Sequence, residues 1–235
     1  MRNLDNLVED YYQKYYDLVH ENQWKFRFLS IHGAIEANFK RNDRYEKCLE
    51  LGAGNGQHLA FLNHQYEIYI ATDIRPINNP SLVELSEGTL PYVKGVYKSF
   101  GDATKLLYED ESFDRLVAGC LLLHLPNTLQ VIDEWVRVTK VGGRVDALVP
   151  TSSLIVSLYR IMFSRRKAKR LGCSDFDLVN ALDHVTYYER VIKIVLGRYD
   201  DFQIKVEHFP RVLGRVKFLR GYSVIRIIKG RLLVA

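Results

Sequence analysis

A few residues have the types and spacing to do chemistry together. Glu50, Gly52, Gly54 and Gly56 fall at every second position in KCLELGAGNGQHLAFL, residues 47–62. Glycines at this density let a backbone approach a ligand closely. Asp73 follows about 20 residues later, where a carboxylate can accept hydrogen bonds from two ribose hydroxyls. Asp102 closes another apolar stretch. His124 in CLLLHLPN and His184 in LDHVTYYERV are candidates for proton transfer. The first set holds a ligand, and the second could act as a base on one.

Elements must bring these residues to one crevice. Glu46 to Leu51 predicts a short buried strand, followed by the glycine loop and a helix. Glu67 to Ala71 predicts a second strand ending at Thr72-Asp73, and Tyr97 to Phe100 a third ending at Gly101-Asp102. Asp114 to Gly119 predicts a fourth that runs on into CLLLHL. Asn127 is placed to cap a helix with apolar positions at Leu129, Ile132, Trp135 and Val136, stopped by Gly142-Gly143. Arg144 to Val149 predicts a fifth strand, closed by Pro150. Strands alternating with helices imply a mostly parallel sheet covered on both faces. Ligands of such sheets sit outside the carboxyl ends of the strands, so the glycine loop, Asp73 and Asp102 would line one site.

The flanks read differently. Leu4, Leu7, Val8, Tyr11, Tyr15, Leu18 and Val19 keep helical spacing, and Phe28 to Phe39 predicts a second helix. Thr151 to about Tyr199 reads as helical, and Phe202 to His208 with Tyr222 to Ile228 as an antiparallel pair at a sheet edge. One domain is expected: a helical cap (1–45), a ligand-binding core (46–150), a helical lid (151–200) and a strand pair (201–235).

The carboxylates discriminate among ligands. A pyrophosphate favours N–H groups and a helix dipole, and Glu50 beside it would repel it. A ligand with an ammonium, a sulfonium and a ribose would be attracted, and S-adenosylmethionine has all three. Glu50-Leu-Gly52-Ala-Gly54-Asn-Gly56 resembles the ExGxGxG motif of class I S-adenosylmethionine-dependent methyltransferases. Thr72-Asp73-Ile74 and Gly101-Asp102-Ala103 resemble their second and third motifs. Phe113-Asp114 with the LVAGCLLLHLPN that follows Arg115 resembles their fourth strand and the loop after it, and Trp135 to Gly143 the helix and turn before strand five. The resemblance covers about Lys47 to Pro150 and is strongest for the ubiquinone-biosynthesis-like, small-molecule branch. It implies a Rossmann-like seven-stranded sheet in the order 3-2-1-4-5-7-6, the last strand antiparallel. It also implies cofactor contacts from Glu50, Gly52, Ala53, Gly54, Gly56, Asp73, Ile74, Asp102, Ala103, Gly119 and Cys120.

The acceptor is less constrained. His124 either serves as base at the site's mouth or caps the Pro126-Asn127 turn. His184 either covers that mouth or sits on the surface or at a hinge. His20 and His32, in the N-terminal helices, and Tyr187 and Tyr188 read as structural. The loop after strand four lacks an NPPY-type tetrad, which argues against adenine- and glutamine-directed transfer. Cys48, Cys120 and Cys173 show no metal spacing, so free thiols and no metal are expected. A net charge of +5 and a pI of about 9.0 invite nucleic acid. The charge concentrates in Arg160 to Arg170 and Arg211 to Arg220, with no recognisable nucleic-acid module. The first basic segment reads as a lid helix with a solvated face, or as a site for a phosphorylated or lipid-linked acceptor. The region after strand five is loosely similar to methyltransferases of bacterial surface-glycan synthesis. The leading expectation is a methyltransferase acting on a hydroxyl of a sugar or related small polar metabolite. The alternatives are a nucleic-acid methyltransferase and a non-catalytic S-adenosylmethionine-binding partner protein. A nicotinamide-dependent dehydrogenase lacks a Ser/Tyr/Lys set here. MRNLDNLVEDYY has no signal-peptide core, and no apolar run approaches the roughly 20 residues of a membrane span. The expected location is cytoplasmic, with the inner membrane surface as a peripheral option.

Overall fold

Seven strands form one sheet: β1 (Arg44–Leu51), β2 (Gln65–Asp73), β3 (Val93–Phe100), β4 (Phe113–Gly119), β5 (Thr139–Pro150), β6 (Gln203–Phe209) and β7 (Tyr222–Ile228). The computed structural model describes residues 4–15, 31–75, 93–173 and 175–230. The sheet order is β3-β2-β1-β4-β5-β7-β6. β1 to β5 pair in parallel, while β7 runs antiparallel to both β5 and β6. This is the Rossmann-like order that the family resemblance implied.

Alternation along the strands builds two cores, since successive side chains point to opposite faces. Leu49, Leu116, Val145 and Ile225 pack on one face with Trp135 of helix Thr128–Val138 and Val191 of helix Tyr188–Arg198. Cys48, Val117, Leu148 and Val224 pack on the other, beneath Ile31, Ala34 and Ile35 of a helical stretch at residues 31–36. Helices are numbered α1 (Leu4–Lys14), α2 (31–36), α3 (Thr128–Val138), α4 (Leu154–Tyr159), α5 (Arg165–Arg170), α6 (Phe176–Asp183) and α7 (Tyr188–Arg198). A π-helical turn, Arg160–Ser164, joins α4 to α5. Tyr11 of α1 meets Phe176 of α6 at 5.9 Å between rings, and Ala168, Cys173 and Val179 complete this third cluster. The N-terminal helix thus packs on the segment that follows β5. Leu18, Val19, His20 and Phe28 lie outside the described residues.

Several local expectations are corrected. After the glycine loop comes a 3-10 turn, Gln57–Phe61, and not an α-helix. The chain must re-enter the sheet at Gln65, which leaves too few residues for more. Leu129 is exposed, so the buried face of α3 is set by Val131, Ile132, Trp135 and Val136. Asn127 stands at the N-cap position in a left-handed conformation, and its side chain makes no capping bond. Helix α3 ends at Val138, ahead of Gly142-Gly143, which lie inside β5. There β5 bulges against β4: Phe113 pairs with Thr139 but Arg115 with Arg144. A Cβ on Gly143 would lie 2.8 Å from the Asp114 carbonyl oxygen, so close strand approach requires glycine there.

Candidate active site

The strand ends assemble the site through the backbone. Gly52, Gly54 and Gly56 adopt φ of +65°, +54° and +73°, conformations costly for any residue with a Cβ. The Ala53 N–H donates to the Thr72 carbonyl at 3.1 Å, and the Gly54 N–H donates to Asp73 Oδ2 at 2.9 Å. The loop after β1 is thereby laid across the end of β2. Asp73 Oδ1 accepts from the Arg75 N–H at 2.9 Å, and the Gly101 N–H donates to the Asp73 carbonyl at 3.1 Å, which draws in the end of β3. Each carboxylate oxygen retains acceptor capacity beyond one N–H. Asp102 Oδ1 accepts from the Thr104 N–H and hydroxyl at 2.8 and 2.7 Å. The Trp135 indole N–H donates to the Ala103 carbonyl at 2.8 Å and fixes that loop on α3. Ile74 is exposed beside Asp73.

Glu50 is buried at the foot of the loop, where the Tyr69 hydroxyl donates to its Oε2 at 2.9 Å. Burial raises its pKa above the usual carboxylate range, against the opposing pull of His58 and the Tyr69 hydrogen bond. On the other side, Gly119 ends β4 and Cys120 turns with φ +59°, its N–H donating to the Leu148 carbonyl at 3.0 Å. The turn presents Leu121 to the glycine loop. A Cβ on Gly52 would lie 3.0 Å from Leu121 Cδ1.

The 3-10 turn Leu122–His124 then carries the first candidate base. His124 Nδ1 lies 3.1 Å from Asp183 Oδ2 and 3.1 Å from the Asp183 carbonyl oxygen. Two acceptors at Nδ1 assign the proton to that nitrogen and leave Nε2 with the lone pair. The Tyr12 hydroxyl of α1 donates to Asp183 Oδ2 at 2.7 Å. Burial works to raise the Asp183 pKa, but the hydrogen bond and charge of His124, with the Tyr12 hydroxyl, outweigh it and hold the carboxyl below its ordinary value. His184 sits beside this pair, its ring centroid 4.6 Å from that of His124 and its Nδ1 2.9 Å from the Asn180 carbonyl oxygen. One ligand atom from each of His124, Asp183 and His184 lies within 4.8 Å of the others. The Val185 and Thr186 N–H groups donate to the Leu123 carbonyl at 3.0 and 3.3 Å, tying the connection from α6 to α7 to the loop after β4.

Both histidines singled out in the sequence therefore meet at one point, some 60 residues apart in the chain but joined by the fold (His124 and Asp183 are 59 apart). Asp183 and Tyr12 were missed. The signal for Asp183 was its place immediately before a candidate histidine. His32 is buried against His58, with Nδ1 atoms 2.9 Å apart, and belongs to the core. Tyr188 is buried with the Ser223 hydroxyl donating to its oxygen at 3.2 Å, whereas Tyr187 is exposed.

Residues 49–145 match the family model described as a methyltransferase domain. A demethylmenaquinone methyltransferase from Alkalihalophilus pseudofirmus is 38% identical over 76 residues, which cover 31% of this chain and 32% of that protein. The chain spans about a third of the length of this curated relative. Among solved structures, a chain of the Haloferax volcanii complex between the Trm112 methyltransferase activator and a methyltransferase superposes with a TM-score of 0.62 at 12% identity, covering 97% of this chain and 98% of that one. The 1,6-didemethyltoxoflavin-N1-methyltransferase of Burkholderia thailandensis, with bound 1,6-didemethyltoxoflavin and S-adenosylhomocysteine, superposes with a TM-score of 0.58 at 14% identity, covering 95% of this chain and 87% of that one. At these identities the likeness is one of fold. Among the described residues, no helix is long and apolar enough to cross a membrane.

Proposed function

Taking residues 49–145 as a methyltransferase domain whose cofactor is S-adenosylmethionine, we propose that the chain transfers a methyl group to a small hydroxyl-bearing acceptor and that His124 takes the hydroxyl proton. One observation carries this reading. The His124–Asp183 pair stands at the end of β4, in the same turn as Leu121, which packs on the glycine loop.

The residues present suit the cofactor. The glycine loop leaves the backbone uncovered at Gly54, where an added Cβ would meet nothing nearer than Gln57 Oε1 at 3.6 Å. Asp73 would hold the ribose hydroxyls, while Asp102 and exposed Ile74 would flank the adenine. Ala53, Gly56, Ala103, Gly119 and Cys120 would shape the walls, and Glu50 would pair with the ammonium, whose charge would oppose the upward shift that burial imposes on the carboxyl. Bound there, S-adenosylmethionine supplies an electrophilic methyl on a sulfonium. Asp183 accepts from Nδ1 of His124 and so keeps Nε2 as the basic nitrogen. As the acceptor oxygen loses its proton to Nε2, the adjacent carboxylate stabilises the imidazolium that forms. Tyr12 holds the carboxylate in place through its hydroxyl, and His184 forms the neighbouring wall.

Two acceptor classes carry such a hydroxyl. One is the sugar or related polar metabolite expected from the sequence. The other is a quinol-type aromatic. The exposed side chains of Val185 and Tyr187, close along the chain to Asp183, favour the second. A menaquinone differs from a demethylmenaquinone by a methyl on a ring carbon, so the name of the curated relatives supports a quinol whose ring carbon accepts the methyl as His124 takes the proton of the neighbouring hydroxyl. The test is transfer of label from methyl-labelled S-adenosylmethionine to a panel of sugars, nucleotide sugars and quinols. His124→Ala should lower turnover by about 10²–10⁴-fold and leave cofactor affinity unchanged. Full turnover in His124→Ala would refute the assigned base. Cofactor binding without transfer to any acceptor would instead support a non-catalytic partner protein.

A further inference from the structure

The two basic segments found in the sequence take no part in the site described above. The first follows β5 and comprises α4, the π-helical turn and α5; the second connects β6 to β7. Pro150 pairs with Tyr222, and Phe209 pairs with the same residue, so both segments leave the sheet at one edge. It is the edge where β1 to β4 end in the glycine loop, Asp73, Asp102 and the turn of His124. The segments also touch each other. The Thr151 and Ser153 hydroxyls both donate to the Arg220 carbonyl, and Leu154 and Phe218 line one cavity of about 320 Å³.

Their surfaces combine exposed apolar side chains with exposed basic ones. Ten of the twenty exposed large apolar side chains of the described residues fall within residues 154–171 and 212–218. Ile161, Met162 and Phe163 are about half exposed, and Val212 is 80% exposed. Arg165, Arg166, Lys169 and Arg170 on the first segment and Arg211, Arg215 and Lys217 on the second are exposed as well. Neither Thr151–Cys173 nor Pro210–Lys229 contains an aspartate or glutamate. Acids reach the segments from outside: Asp177 pairs with Arg165 at 2.8 Å, and Glu189 lines the cavity that the two segments share.

We propose that residues 154–171 and 211–220 form a docking surface for an anionic lipid bilayer, which seats the mouth of the site against the membrane. Apolar side chains beside arginines suit the boundary between acyl chains and anionic headgroups, where each has its own layer. A nucleic-acid backbone would engage the arginines but gives the exposed aliphatic side chains nothing to bury against. A second copy of this chain would bring a like-charged surface against it. The proposal is independent of the acceptor and of the assigned base, because it concerns adsorption without turnover.

The experiment is co-sedimentation of the full chain with phosphatidylglycerol/phosphatidylcholine vesicles and with pure phosphatidylcholine vesicles, at low and high salt. Binding to the anionic vesicles, weakened by salt, is expected. Each basic residue near the surface contributes about fivefold, so the Arg166→Glu/Arg170→Glu variant should bind at least about 25-fold more weakly. Phe163→Ser/Val212→Ser should lose about tenfold or more without changing the salt dependence. Calorimetry with S-adenosylmethionine on the same variants checks that the fold and cofactor site survive. Equal affinity for the two vesicle types, or retention of vesicle binding by both variants, would overturn the proposal. So would tighter binding to a single-stranded RNA than to the anionic vesicles, or self-association that is abolished by Phe163→Ser/Val212→Ser.

Discussion

Replacing Gly52 by alanine tests whether the glycine loop and the turn of His124 form one packed unit. Gly52 and Gly54 share the left-handed conformation, with φ of +65° and +54°. Alanine at either position therefore carries a strain of about 1–2 kcal/mol. The surroundings differ. At Gly54 the new methyl would meet only Gln57 Oε1 at 3.6 Å, an ordinary contact with a flexible side chain. At Gly52 it would meet Leu121 Cδ1, Cδ2 and Cβ at 3.0, 3.1 and 3.3 Å. Leu121 cannot retreat freely, because Cys120 before it is pinned to β5 and His124 after it is held by Asp183. Forcing a methyl into packed surroundings costs a further 1–3 kcal/mol or so. For a chain of this size about 2–4 °C in melting temperature corresponds to each kcal/mol. Gly54→Ala should thus melt roughly 2–8 °C below the parent, and Gly52→Ala should melt lower still. Differential scanning fluorimetry measures this, and a leucine-to-alanine change at 121 in the Gly52→Ala background should recover part of the gap. Equal melting temperatures for Gly52→Ala and Gly54→Ala would refute the claim that the loop bears on Leu121.

Other outcomes follow from the same geometry. Asp73→Ala should weaken S-adenosylmethionine binding by about 1–3 kcal/mol, read by calorimetry; an unchanged affinity would remove Asp73 from the ribose site. Asp183→Asn keeps an acceptor beside His124 but removes the charge, so turnover should fall by roughly tenfold or more with cofactor affinity held. Parental turnover would show that Asp183 is structural. Stability should also fall with acid. Burial first, and then the neighbouring His58, push the pKa of His32 down from 6.5 to about 3. The unfolded chain therefore binds a proton between those values that the folded chain does not. The contribution is complete above pH 6.5 and is lost as pH falls, by roughly 2 kcal/mol at pH 5. His64, lowered chiefly by burial, acts in the same direction. A melting temperature that stays level from pH 7 to pH 5 would contradict the buried placement of His32.

Strand positions and the glycine loop were legible because they rest on local chemistry; the strand order came from the family resemblance, the residue pattern itself giving only an antiparallel pair at an edge. Tyr222 to Ile228 was bounded correctly, and the three glycines marked the loop whose positive φ values require them. The base pair of the site was not. Nothing local links Asp183 to His124, and their contact exists because the chain after α6 returns to donate two N–H groups to Leu123. Tyr12 joins them from a third region of the chain, through the packing of Tyr11 on Phe176. The 3-10 turn after the glycine loop was misread for a related reason. QHLAFL has helical apolar spacing, but the distance back to β2 decides how many turns fit.

The buried charges show the same limit and bear on the site. Arg115, Asp146 and Arg226 interrupt three apolar strands, and each strand taken alone suggests solvent for its charged residue. Once β4, β5 and β7 are neighbours, the charges meet: Asp146 lies opposite Arg226 in register, and Arg115 Nε donates to Asp146 Oδ2 at 2.7 Å. Arg115 also pairs with Glu36 at 2.8 Å, and Glu36 with His58 at 3.0 Å. Taking so many charges out of water costs several kcal/mol per ion, which their mutual attraction offsets only when every partner is present. Such a network is a poor source of stability but fixes one arrangement over others. Arg226 donates to the Ala34 and Ile35 carbonyls at 3.0 Å each, at the end of α2, and so locks that helix to the sheet. His58 lies in the 3-10 turn that leaves the glycine loop. The chain of contacts from Arg226 through Asp146, Arg115 and Glu36 to His58 thus ties the exit of the glycine loop to α2 and to three strands. Precision at a loop made flexible by its glycines is what the buried charge supplies.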